Sequence, residues 1–323
     1  LWELESFPRD WRCAFDLVDE VWTPTAFVRD AIAKTTDKPV LRMPMAIEPP
    51  VAAGVERAHF NLPHDEFIFL FSYDFNGFAS RKNPEAVIAA FRQAFADGVK
   101  GVRLLVKSTN GERFPDKLAA LQRSVADDPR IEVRDGFLSR NEMSGLQNSI
   151  DCFVSLHRSE GFGLGLAECM YLGKPVIATA YSGNLDFMTP TNSLYVGYSM
   201  VSIPPGLWPY PDTARWADPN LDVARYHLRW VFEHPEAAAE LGRQARESVR
   251  ATATLQRTVD FVLSRVNAIT AEAEAPTAEP GPGRAAALAA RHLAGRVKRR
   301  AYRELADVDL FGVHKQLAEH QQQ

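Results

Sequence analysis

From Glu66 onward, two kinds of hydrophobic pattern take turns along the chain. Short unbroken apolar runs (residues 67–73, 102–107, 131–134, 151–156, 175–179 and 193–196) alternate with stretches in which apolar residues recur at helical spacing (83–95, 116–125, 140–147 and 164–172). An unbroken apolar run predicts a strand buried on both faces, and the helical spacing predicts an amphipathic helix. Strands and helices in alternation predict a parallel sheet covered on both sides. Three further helical stretches, 221–232, 235–250 and 255–268, complete the unit. Ligands of such a sheet bind at the carboxyl ends of its strands.

The flanks read differently. Residues 19–25 form a short predicted strand leading into a helix over 26–34, with Thr25 as its cap. Residues 38–50 are extended and broken by prolines. From Ala271 the composition turns to Ala, Glu, Pro and Gly, and 271–283 reads as a flexible linker. Over 284–305 a helix is predicted, with Ala290, Leu293, Val297, Ala301 and Leu305 on one face and Arg291, Arg296, Lys298, Arg299, Arg300 and Arg303 on the other.

Composition narrows the class. The 323 residues leave room for two domains, and 46% apolar with 24% charged residues is ordinary for a globular protein. A net charge of -4 argues against a general nucleic-acid binder. Cys13, Cys152 and Cys169 have no metal-ligand spacing, which fits a reducing, cytosolic setting. No run is long and apolar enough to span a bilayer, and no signal peptide opens the chain. The chain starts at Leu1 within what reads as folded protein, and is expected to be an N-terminally truncated piece.

The chemistry gathers between the strand at 151–156 and the helix at 164–172. Gly161, Gly163 and Gly165 stand at alternate positions, letting the backbone approach a ligand closely. The helix start behind them offers free N–H groups to a phosphate. Glu160 opens this loop, and Glu168 lies in the early turns of the helix. Carboxylates beside an anion site repel the anion, so both acids suit hydroxyl groups instead. A ligand with a diphosphate and two hydroxyl-bearing rings is a nucleotide sugar.

Glu160-x7-Glu168, in the setting Ser155-Leu156-His157-Arg158-Ser159-Glu160-Gly161-Phe162-Gly163, resembles the E-x7-E signature of the family-4 retaining glycosyltransferases of the GT-B fold. The likeness extends from about Asp19 to about Val266. It implies an α/β chain with a complete Rossmann-like donor domain over 66–270, preceded over 1–65 by the end of an acceptor domain and its connector. The linker 271–283 and a basic helical tail over 284–323 follow. The implied activity is metal-independent transfer of a hexose, of mannose or glucose type, from a GDP- or UDP-linked donor. The acceptor is a glycan or a lipid-linked glycan in cell-envelope polysaccharide or glycoconjugate synthesis. No cofactor is implied beyond the donor, no nucleic acid, and a cytoplasmic site of action. With most of the acceptor domain missing, binding without efficient transfer is expected.

Carried over residue by residue, the resemblance gives Glu160 to the transferred sugar and Glu168 to the ribose hydroxyls. The backbone at Gly161, Phe162, Gly163 and Leu164 would meet the sugar and diphosphate. Lys82, in Arg81-Lys82-Asn83-Pro84, would neutralise the departing diphosphate. The family places its partner Arg nearer the strand end, where this chain has Tyr73-Asp74-Phe75; either Arg81 is the substitute or the partner Arg is absent. Gly183 and Asn184 read equally well as sugar-pocket lining or as a plain turn, and Phe137 as a base contact or a routine strand exit. His157 and Arg158 are given no catalytic role. The pair Asp307 and Asp309 is read as chance, and no metal is expected. The helix at 284–305 could touch anionic lipid at the inner membrane face weakly, although a solvated helix is the simpler reading.

Three rivals stay open. A non-catalytic nucleotide-sugar-binding module fits the same loop. A nucleotide-sugar epimerase of the same fold would need further acid and base residues. A glycosidase would use Glu160 and Glu168 as its carboxylate pair.

Overall fold

The computed structural model describes residues 2–274. Part of the expected linker, the basic helical tail and the Asp307/Asp309 pair lie outside the described residues. The elements run β1 (Val21–Thr23), α1 (Ala26–Ala33), β2 (Val40–Arg42), β3 (Phe67–Asp74), α2 (Ala79–Lys82), α3 (Pro84–Ala94), β4 (Val102–Thr109), α4 (Pro115–Val125) and β5 (Ile131–Asp135). They continue with α5 (Arg140–Ser149), β6 (Cys152–Ser155), α6 (Leu164–Tyr171), β7 (Val176–Thr179), β8 (Leu194–Val196), β9 (Tyr198–Ser202), β10 (Arg215–Pro219), α7 (Leu221–Glu233), α8 (Pro235–Thr252) and α9 (Leu255–Glu274). Helix α9 extends to Glu274, beyond the 271 at which the linker was expected to begin.

Six strands form one parallel sheet in the order β5-β4-β3-β6-β7-β8. The unbroken apolar runs are explained by two cores, one on each face. Along β3, Phe69 and Phe71 face the core shared with α3 and α7, while Ile68 and Leu70 face the core shared with α6 and α8. With a side-chain period of two, a strand covered on both sides is apolar at every position. Thr25 caps α1 as expected, its side chain accepting from the Val28 N–H.

Residues 1–264 form one compact unit. Strands β1 and β2 pair in parallel outside the main sheet. The antiparallel pair β9–β10 was not expected. Its strands are separated by the proline-rich stretch 204–211 and closed by Pro219, which hide the alternating pattern.

Candidate functional site

In the main sheet β3 lies between β4 and β6. The chain steps outward from β3 to β4 and β5, then returns to β6 on the other side of β3. Crossovers that diverge in this way open a crevice at the carboxyl ends of the two central strands. A cavity of about 520 Å³ occupies that place. Ser72, Tyr73 and Asp74 line it from the end of β3, Lys107 and Thr109 from β4, and Phe137 and Arg140 from the β5–α5 turn. Leu164, Gly165 and Glu168 of α6 close it, with Gln147 of α5.

Glu168 is buried, and each of its carboxylate oxygens has one partner in the protein. Arg140 Nη1 donates to Oε1, and Gln147 Nε2 donates to Oε2 at 2.8 Å. Local sequence explains the placement. Ser139 and Glu142 form a reciprocal capping box that fixes where α5 begins. Arg140 then opens the helix, and Gln147, two turns later, lies on the same face. Helix α6 is capped by Gly163, whose φ of 92° favours glycine.

Glu160 forms a second cluster at the other end of the glycine loop and does not line the cavity. Lys82 Nζ donates to its Oε1, and Arg81 Nη1 lies 3.4 Å from Oε2. Burial pushes the Glu160 carboxyl up, but the Lys82 and Arg81 cations outweigh it and hold its pKa at about 2. Glu160 is therefore ionised at neutral pH. The loop is tied down from behind. The Glu160 N–H donates to Ser182 Oγ at 2.8 Å, and the Gly183 N–H donates to Glu160 O at 2.9 Å. A Cβ on Gly183 would lie 2.3 Å from Gly161 O, so only glycine permits this approach.

The low pKa of Glu160 has a measurable consequence. The stability it contributes is complete above the ordinary carboxyl pKa of 4.5 and is lost as pH falls towards 2. Between those values wild type should lose on the order of 2–3 kcal/mol more than Glu160→Gln. Urea unfolding at a series of pH values checks this, and parallel acid limbs for the two proteins would refute it.

Several expected site residues serve as support. Arg81 is buried, donating from Nη1 to Ser159 O at 2.7 Å and from Nη2 to Gly77 O at 2.9 Å. It also lies 3.6 Å from Glu3 Oε1. Its guanidinium is enclosed between two carboxylates and two carbonyls. Asn184, a candidate sugar contact, is fully buried, with Nδ2 donating to Thr179 O at 3.0 Å and Oδ1 lying 3.2 Å from His157 Nε2. Its side chain anchors the turn, which is the plain-turn alternative. His157 lies between Ser155 Oγ and the Asn184 and Tyr181 oxygens, and burial lowers its pKa. Two oxygen acceptors at Nε2 place the proton there, giving a neutral ring. Arg158 pairs with Asp218 and holds the β9–β10 hairpin.

Phe137 is exposed and lines the cavity, as does Leu164. Phe162 packs its half-buried ring against Phe187. A smaller cavity of about 320 Å³ behind this pair is lined by Arg42 and Arg257 and meets neither acid. The sequence reading missed Arg140, Gln147, Lys107 and Glu3. Lys107 could have been noticed as a charge ending an apolar strand. It donates to Ser108 O at 2.6 Å, and burial lowers its pKa against the pull of Asp135. Among the described residues, no three His, Cys, Asp or Glu side chains are grouped to hold a metal ion. No helix of the described residues is long and apolar enough to cross a membrane.

Residues 55–200, which include the crevice strands and both acids, match the family model described as glycosyl transferases group 1. That stretch is similar to the group 1 glycosyltransferases. The chain is 24% identical over 188 residues to trehalose synthase of Pyrococcus horikoshii, covering 57% of this chain and 40% of that protein. It is 28% identical over 162 residues to the D-rhamnosyltransferase WbpZ of Pseudomonas aeruginosa, covering 47% of this chain and 38% of that one. The chain thus matches about two fifths of the length of these curated relatives. HepE of Anabaena, solved in complex with UDP and glucose, superposes with a TM-score of 0.62 at 12% identity, covering 81% of this chain and 68% of HepE. The fold is the GT-B type expected from the sequence, shared with this and other solved structures.

Proposed function

We propose that this chain is the donor-binding part of a retaining glycosyltransferase that moves a hexose from a nucleoside-diphosphate sugar to a glycan or lipid-linked acceptor. The observation that carries the reading is the placement of the two acids at opposite ends of one glycine loop. Glu168 stands at the cavity of the sheet's switch point, and the Glu160–Lys82 pair stands at the loop's other end. A nucleotide sugar laid along the loop would put its ribose at Glu168, its diphosphate over the amides of 163–165 and its hexose at Glu160. UDP and glucose bound to the structurally similar HepE support this class of ligand.

The residues then divide the work. Glu168 accepts from ribose hydroxyls. Glu160, being ionised, accepts from a sugar hydroxyl and stabilises positive charge developing on the ring. Lys82 counters negative charge on the leaving diphosphate. In the glycosidase rival Glu160 could not be the general acid, which needs a raised pKa where Glu160 has a lowered one. Mannose or glucose donors, linked to GDP or UDP, are the specific proposal.

Thermal unfolding with UDP, GDP and ADP tests the reading. At about one hundred times its dissociation constant, the matching nucleotide should stabilise the chain by roughly 2.7 kcal/mol. Glu168→Ala should abolish the shift. Stabilisation that survives Glu168→Ala would overturn the ribose assignment, and no shift with any nucleotide would overturn the site.

A further inference from the structure

We propose that Gln147 is a second ribose-reading residue. Its amide oxygen and the Glu168 carboxylate would accept, side by side, from the two neighbouring hydroxyls of a nucleoside diphosphate. The inference rests on the nucleotide reading of the cavity and adds the basis on which that cavity selects a ribonucleotide.

Gln147 is fully buried within α5, yet it lines the cavity. The 2.8 Å bond from its Nε2 to Glu168 Oε2 fixes the amide's orientation. Turned over, the amide would set its oxygen against a carboxylate oxygen. Among the described residues, Gln147 Oε1 has no hydrogen-bond partner. An unpaired buried acceptor is costly, so a native structure that keeps one calls for an explanation.

The polar neighbours do not satisfy it. Glu168 has only acceptors at this point, and Arg140 Nη1 is directed to Glu168 Oε1. A hydroxyl arriving with a ligand supplies the missing donor. Each Glu168 oxygen has one protein partner and keeps acceptor capacity for a second. An acid and an amide oxygen held beside one another match a vicinal diol, whose two hydroxyls each donate one hydrogen bond. Ribose presents such a diol, and a deoxyribose does not. A site built to bond a hydroxyl discriminates strongly against the analogue that lacks it, because its buried group is then left unpaired.

The experiment is calorimetric titration of the chain with UDP, GDP and ADP, then with the 2′-deoxy and 3′-deoxy forms of whichever binds. Wild type should bind the ribonucleotide roughly tenfold or more tightly than either deoxy form. In Gln147→Met, which keeps the side-chain length, ribonucleotide affinity should fall by about tenfold. One of the two deoxy penalties should vanish, while the one read by Glu168 persists. If Gln147→Met keeps both penalties, the proposal is overturned and the nucleotide reading survives. If wild type penalises only one deoxy form, or neither, the proposal falls without reference to any variant. Failure of wild type to bind every nucleotide overturns the proposal together with the reading beneath it.

Discussion

Lys82→Ala should slow release of nucleoside diphosphate from the sugar donor by roughly 100- to 1,000-fold, the usual cost of removing one preorganised charge-stabilising donor. The Lys82 ammonium is held in place before any substrate arrives, bonded to Glu160, with its side chain 20% exposed. Little reorganisation is then needed when the glycosidic bond breaks and charge builds on the diphosphate. An interaction that strengthens in the transition state lowers kcat more than it raises the donor's Kd. Donor turnover, by transfer or slow hydrolysis, should therefore fall far more than donor affinity. Lys82→Arg should recover part of the rate, because the charge returns with a different shape. A kcat for Lys82→Ala within about threefold of wild type would remove Lys82 from the mechanism.

The residue beside it should behave in the opposite way. Arg81→Met should destabilise the fold by about 3–5 kcal/mol, the usual cost of removing one partner from a buried ionic cluster. Burial opposes the Arg81 charge, and Glu160 and Glu3 outweigh it, so the guanidinium is held charged more firmly than usual. Its removal leaves the Ser159 and Gly77 carbonyls short of donors and sets Glu3 and Glu160 against each other. Against a typical total stability of about 5–15 kcal/mol, this is a large share. Urea unfolding at neutral pH measures it. A loss below about 1 kcal/mol would show that Arg81 is not the anchor its contacts imply.

Adjacent in sequence and alike in charge, Arg81 and Lys82 mark where sequence reasoning stops. Neither local pattern nor charge distinguishes the cation that faces a ligand from the one that faces the interior; the packing of Glu3 and the loop at Ser159 decides. The layered sheet was legible because β3, β4, β6 and β7 are apolar on both faces, a signal internal to each strand. Glu160 and Glu168 were legible because strand, glycines and helix fall in one short window. Gln147 was not, since its importance comes from a bond across helices to Glu168 and an oxygen left unpaired there. Glu3 was missed for the same reason, reaching Arg81 from far along the chain.

Thr25 Oγ1 donates to Gly161 O at 2.8 Å, the Ala26 N–H donates to Asp186, and Ser159 Oγ donates to Glu3 O. The glycine loop is thus held by residues far upstream in the same compact unit. For anyone recombining glycosyltransferases by exchanging donor halves, a cut at residue 65 would sever these tethers and leave the loop's carbonyl and hydroxyl without their partners. The transferable module is a split one: residues 66–264 together with the short segments around Glu3 and Thr25. A chimaera should keep its donor preference only if those two segments travel with it.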